Sequence, residues 1–68
     1  MKYAIVIERS PTGYAAYVPD LPGCVAAGST RVEVERLIRE AIQLHLEGMR
    51  EDGEAILEPT TGVDLVEV

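Results

Sequence analysis

The sequence contains one cysteine and one histidine. These are Cys24, inside "DLPGCVAAGSTRVE" (Asp20–Glu33), and His45, inside "LHLE". A reactive thiol needs its pKa depressed by a helix N-terminus, a basic neighbour or a paired imidazole. Cys24 sits in a run of Val and Ala several residues before a helix begins, and His45 falls about four turns into that helix. Chain order therefore keeps the two apart. Cys24 reads as a small buried hydrophobe, and His45 as a neutral, hydrogen-bonded core or interface histidine. One cysteine cannot close an internal disulfide, and one Cys plus one His falls short of the four clustered ligands of a zinc site.

The carboxylates add no catalytic pattern. Glu8, Asp20, Asp52 and Asp64 fall on different elements, and general acid–base work requires partners within hydrogen-bond reach. The glycines at 13, 23, 28, 48, 53 and 62 are dispersed among turns and caps, without a phosphate-cradling spacing. The sequence thus identifies no catalytic, cofactor-binding or metal-binding residue, implies no cofactor, and singles out no partner-contact residue. The reading is of a non-enzymatic chain.

The elements that carry these residues follow from periodicity. "KYAIVIER" (Lys2–Arg9) alternates, with Tyr3, Ile5 and Ile7 on one face and Ala4, Val6 and Glu8 on the other, as a strand does. "SPTG" (Ser10–Gly13) predicts a four-residue connection to a returning strand, "YAAYV" (Tyr14–Val18). Pro19 and Pro22 exclude a continuing central strand, and Pro22-Gly23 suits a type II turn. "CVAAG" (Cys24–Gly28) predicts a third short strand whose small side chains allow close approach. Thr30 and Glu33 form a capping box for a helix. Its apolar stripe runs Val34, Leu37, Ile38, Ala41, Ile42, His45, Met49. Glu35 and Arg39 are spaced as an i,i+4 ion pair, and Gly53 ends the helix. "VDLVEV" (Val63–Val68) predicts a closing strand. The order is β-β-β-α-β, an α+β fold with one long helix on one face of a small, mostly antiparallel sheet. The other face, with Ala4, Val6, Ala15 or Ala16, and Ala26 or Ala27, is left uncovered and not polar, a docking surface for a copy or another protein.

With 68 residues the expectation is one domain, 1–68. A chain of this size buries only about 60% of its unfolded surface, so self-association into a dimer or tetramer is expected to supply the missing stability. A net charge of −6 argues against direct nucleic-acid binding, which needs clustered Lys and Arg, and suits a basic protein partner. The first apolar run is broken by Glu8 and Arg9, too early for a signal peptide or membrane span. A cytoplasmic location is the simplest expectation.

"YVPDLPGCVAAGST", followed by a helix containing "EAIQLHLEGMREDGEAILEP", resembles the HicB family, the antitoxins of HicAB toxin–antitoxin modules. The hairpin "YAIVIE…GYAAYVPDLPGC", the Thr30 cap, "LHLE" and "DGE…EP" carry the likeness from about Tyr3 to Pro59. The resemblance implies a partial ribonuclease-H-like fold. It also implies a role as an antitoxin that binds and masks HicA, a small basic ribonuclease that degrades mRNA. Ribonuclease-H enzymes use several carboxylates around divalent metal; Glu8 lies on the first strand, but the sequence identifies no others of that set, so the likeness transfers no catalysis. Members of this family typically carry a further DNA-binding domain, and no basic segment or second helix here matches one. The alternatives are a stand-alone oligomeric module with an unrelated partner or small ligand, and, less favoured, a ribonuclease-H-type nuclease.

Overall fold

A computed structural model describes residues 1–68. Strands β1 (Val6–Ser10), β2 (Gly13–Tyr17) and β3 (Val25–Gly28) precede a 21-residue helix, α1 (Arg31–Glu51). The strands form an antiparallel sheet in the order β1-β2-β3, and α1 packs across β2 and β3. This is the expected α+β arrangement.

The hairpin is tighter than its composition suggests. Ser10 pairs with Gly13, so the connection is Pro11-Thr12, two residues rather than four. Pro11 fixes its own φ, and Gly13 takes φ +156 and enters the ladder. Pairing starts at Val6 rather than Lys2 because its partner, Tyr17, is the last residue of β2. Beyond it Val18 donates to the Cys24 carbonyl (3.1 Å) and Pro19 has no N–H to give. The expected type II turn is present: Cys24 N–H donates to the Leu21 carbonyl at 3.0 Å, with Gly23 at φ +85.

At the helix start, Thr30 Oγ1 accepts from Glu33 N–H at 3.1 Å. The reciprocal half of the expected capping box is displaced by one residue. Glu33 Oε1 accepts from Ser29 N–H (3.3 Å) instead of from Thr30. The helix ends as a Schellman motif, with Glu54 N–H donating to the Met49 carbonyl (2.8 Å) and Gly53 N–H to that of Arg50 (3.1 Å). On its surface Glu35 accepts from Arg31 Nε at 3.0 Å, not from Arg39 as its spacing allowed. Arg31 and Arg39 are both four residues away, and one carboxylate satisfies one of them.

The core is small. Ala16, Val18, Leu21, Cys24, Val34 and Ile38 are buried. Tyr3, Ile5, Ile7, Tyr14, Ala26, Ala41, Ile42, Leu46 and Met49 pack around them. Leu46 joins the helix stripe expected over Val34–Met49, and His45 is half-buried beside it.

The anticipated closing strand is not formed. Val63–Val68 lies in no ladder and is exposed throughout, Leu65 at 92%. A strand exists only through a neighbour's N–H and C=O groups, and here the preceding connector is held elsewhere. Thr60 Oγ1 and Thr61 N–H donate to the Asp20 carboxylate at 3.3 and 3.2 Å, fixing the chain at the β2–β3 connection.

Candidate interaction surface

The sequence-predicted chemical groups are not brought together. Cys24 is a free thiol, buried in the core, and burial pushes its pKa up, away from thiolate reactivity. Asp20 accepts the two threonine hydrogen bonds. Burial pushes its pKa up, but the bonds from Thr61 and Thr60 outweigh that and hold the carboxyl below its ordinary 3.8. Asp52 caps the C-terminus of α1, Asp64 accepts from Leu65 N–H at 2.8 Å, and Glu8 stands exposed on β1. No three His, Cys, Asp or Glu side chains are grouped to hold a metal ion.

What the elements do build is two surfaces. The first is the face of the sheet opposite α1. Ile7, Ala16 and Ala26 face each other across the strands on the core side. Alternation therefore places the rows Val6–Tyr17–Val25 and Glu8–Ala15–Ala27 on the other side. Tyr17 is 42% and Val25 64% exposed. The register resolves the two alanine pairs left open by the sequence: Ala15 and Ala27 are outward, Ala16 and Ala26 inward. Tyr17, which alternation within its own segment does not assign to a face, is the largest side chain here, with Val25 and Val6 on either side. The signal was present, since Tyr17 and Val25 each lie two residues from an outward alanine. Only a strand register, not composition, reveals it.

The second surface is a groove of about 230 Å³ between the chain leading into β1 and α1, lined by Tyr3, Ile5, Glu35, Ile38, Arg39 and Ile42. Glu35 is occupied by Arg31, which leaves Arg39 without an ion-pair partner. The Tyr3 hydroxyl is buried without a hydrogen-bond partner.

A three-stranded antiparallel sheet with a single capped helix across one face and an apolar open face on the other defines a small fold of α+β type. The chain belongs to the HicB-like antitoxin family of bacterial toxin–antitoxin systems, whose sequence profile matches residues 3–67. It is 48% identical over 82% of its length to an uncharacterised 14.9 kDa protein of Haemophilus phage HP1, of which it spans only 42%. A UPF0150 protein of Archaeoglobus fulgidus is 45% identical over the whole chain and is itself spanned to 96%. Among solved structures, the HicA3 and HicB3 toxin–antitoxin complex contains a similar chain. The TM-score is 0.75 at 30% identity, covering 88% of this chain and 70% of that one. No helix is long and apolar enough to cross a membrane.

Proposed function

We propose that this chain neutralises a HicA-type toxin, a small basic mRNA-degrading ribonuclease, by direct contact through the open face of its sheet. It does so in the cytoplasm, as a homo-oligomer of one-domain copies, without catalysis and without binding nucleic acid itself. The observation that carries this reading is the outward row Val6–Tyr17–Val25, flanked by Ala15 and Ala27 with Glu8 at the β1 end of that second row. It is an apolar patch with one aromatic at its centre, the composition of an interface core rather than of a solvated sheet. Family membership supports the class of partner, and the net charge of −6 suits a basic one. Masking requires only that the toxin's working surface be covered, and nothing on this face needs to titrate, ligate or attack.

The test is co-expression with a neighbouring small basic open reading frame. That frame is toxic alone and harmless with the wild-type chain, and the two co-purify. Tyr17→Asp and Val25→Asp place charge on exposed positions of a folded chain. Each weakens capture by about 2 kcal/mol or more if the face is the interface. Normal rescue by both variants would move the contact elsewhere, and an absence of rescue by the wild-type chain would remove the antitoxin reading.

A further inference from the structure

We propose that a recess at the C-terminal end of α1 receives one arginine or lysine side chain from a protein partner. The aliphatic stem lies on its apolar wall and the cationic head sits between Asp20 and Glu58. The inference rests on the basic partner of the reading above and gives that partner a second point of contact.

The recess is built by the connector after α1 rather than by the sheet. It encloses about 220 Å³, walled by Leu21, Met49, Ala55 and Leu57, with Asp20, Glu58 and Thr60 as its polar lining. The connector is held at both ends. Glu54 N–H donates to the Met49 carbonyl, and Thr60 and Thr61 donate to the Asp20 carboxylate. Leu57, between these anchors, is 78% exposed, an apolar wall with nothing against it. A wall already fixed in place avoids the penalty of ordering a loop on binding.

Size and chemistry select the occupant. Sites for whole organic ligands run from about 300 Å³ upward, so a smaller recess suits a single side chain. An apolar wall that ends in carboxylates matches arginine and lysine, which lay a hydrocarbon stem on apolar surface and carry their charge at the tip. The threonines take one hydrogen bond on each Asp20 oxygen. A carboxylate has about four lone-pair sites, so acceptor capacity remains. No basic residue lines the recess. The chain that forms it, Glu47 to Glu58, also carries Glu51, Asp52 and Glu54 against Arg50 alone, and none of these charges is in an ion pair. The carboxylates are not grouped to hold a metal ion, which leaves an organic cation as the complement.

The recess also adjoins the open face. Tyr17 is in the last row of the ladder, and Asp20 follows it by three residues, at most about 11 Å of chain. A partner seated over Tyr17 therefore meets the recess at its rim, within the breadth of an ordinary interface of about 800 Å² per side.

The experiment titrates the full chain with N-acetyl-arginine amide and follows the Leu57 and Met49 methyl groups and the Thr61 amide by NMR. A ligand of this size should saturate with a Kd on the order of 1 mM. N-acetyl-citrulline amide, nearly the same shape without the charge, should bind about tenfold more weakly. Glu58 is exposed and makes no hydrogen bond, so Glu58→Lys should leave circular dichroism unchanged while removing the preference for arginine. Absence of a saturable shift at these groups up to about 50 mM overturns the proposal, as does citrulline binding as tightly as arginine. Tighter binding of spermidine than of the arginine probe would make the occupant a free polyamine and overturns it too. In parallel, Glu58→Lys should weaken capture of the basic toxin by about tenfold; unchanged capture by that variant rejects the recess as a contact. Should the wild-type chain capture no toxin, the functional reading fails by itself, and the arginine titration alone decides the recess.

Discussion

Gly13 lies against the carbonyl oxygen of Gly28 so closely that a Cβ on Gly13 would collide with it, and would also sit 3.1 Å from Ser29 Cα. The obstacle is backbone on both counts, at the point where the β1–β2 hairpin meets the end of β3. Gly28 is confined in turn, since a Cβ there would come within 3.1 Å of both Val34 N and Glu33 Oε1. The two glycines let hairpin, third strand and first helical turn share one corner.

Gly13→Ala should therefore be the costlier substitution, because φ +156 is also foreign to an L side chain. We expect a loss of about 2–3 kcal/mol, a large part of the stability of a small domain. Gly28→Ala should cost less, since its φ is one an L residue adopts and its closest contacts are near 3.1 Å, one of them to the movable Glu33 side chain and one to Val34 N, rather than a collision with backbone. Urea unfolding monitored by circular dichroism ranks them, and a reversed order would contradict the described corner.

Thr30→Ala should remove the acceptor for Glu33 N–H and cost about 1 kcal/mol. In a domain of this length that corresponds to a fall of about 4–8 °C in Tm. Thr30→Ser should retain most of it. Thermal melts of the pair decide the point.

Asp20 predicts an acid-sensitive connector. Its folded pKa is lowered, so the unfolded carboxyl binds protons more readily than the folded one. The stabilisation is therefore complete above the unfolded value, near 3.8, and is lost as pH falls through the folded value. Asp20→Asn should flatten that acid limb. The protection of the Thr61 amide, the intrinsic exchange rate divided by the observed one at each pH, should fall in the wild type over this window and be low and pH-independent in the variant.

Cys24 should react slowly with a thiol reagent near neutral pH, and urea should accelerate the reaction, because access requires opening of the core. Cys24→Ala should be tolerated better than Cys24→Ser, whose buried hydroxyl costs about 1–3 kcal/mol without a partner. A rapid reaction in the folded state would show a site more open than the structure has it.

The parts of this fold legible in the sequence are those written by local chemistry. Thr30 caps because its oxygen reaches three residues along the same chain, and Pro22-Gly23 turns because the two residues fix their own φ angles. The Val34–Ile38–Ile42 stripe survives because a helix brings i and i+4 onto one side. What was not legible depends on a choice among equivalent partners. Glu35 has an arginine four residues away in each direction, and only the fold selects Arg31. Ser10 and Gly13 look like loop residues until the register makes them the closing pair of the hairpin. Val63–Val68 reads as a strand from its composition, but a strand needs an edge to join, and its own residues do not specify one. The open face was anticipated as apolar, whereas its centre, Tyr17, emerges only from the pairing Val6–Tyr17–Val25.

A core of six buried side chains leaves this protein with little resistance to transient opening. Any ligand that holds only the folded form shifts that balance by mass action, by about 2.7 kcal/mol at a hundredfold excess over its dissociation constant. A protease would then sense occupancy directly, clearing free copies and sparing engaged ones. Limited proteolysis with and without the partner measures this, and a half-life indifferent to partner concentration would refute it. The thinness of the hydrophobic interior thus makes lifetime itself a report of whether a stabilising ligand is in hand.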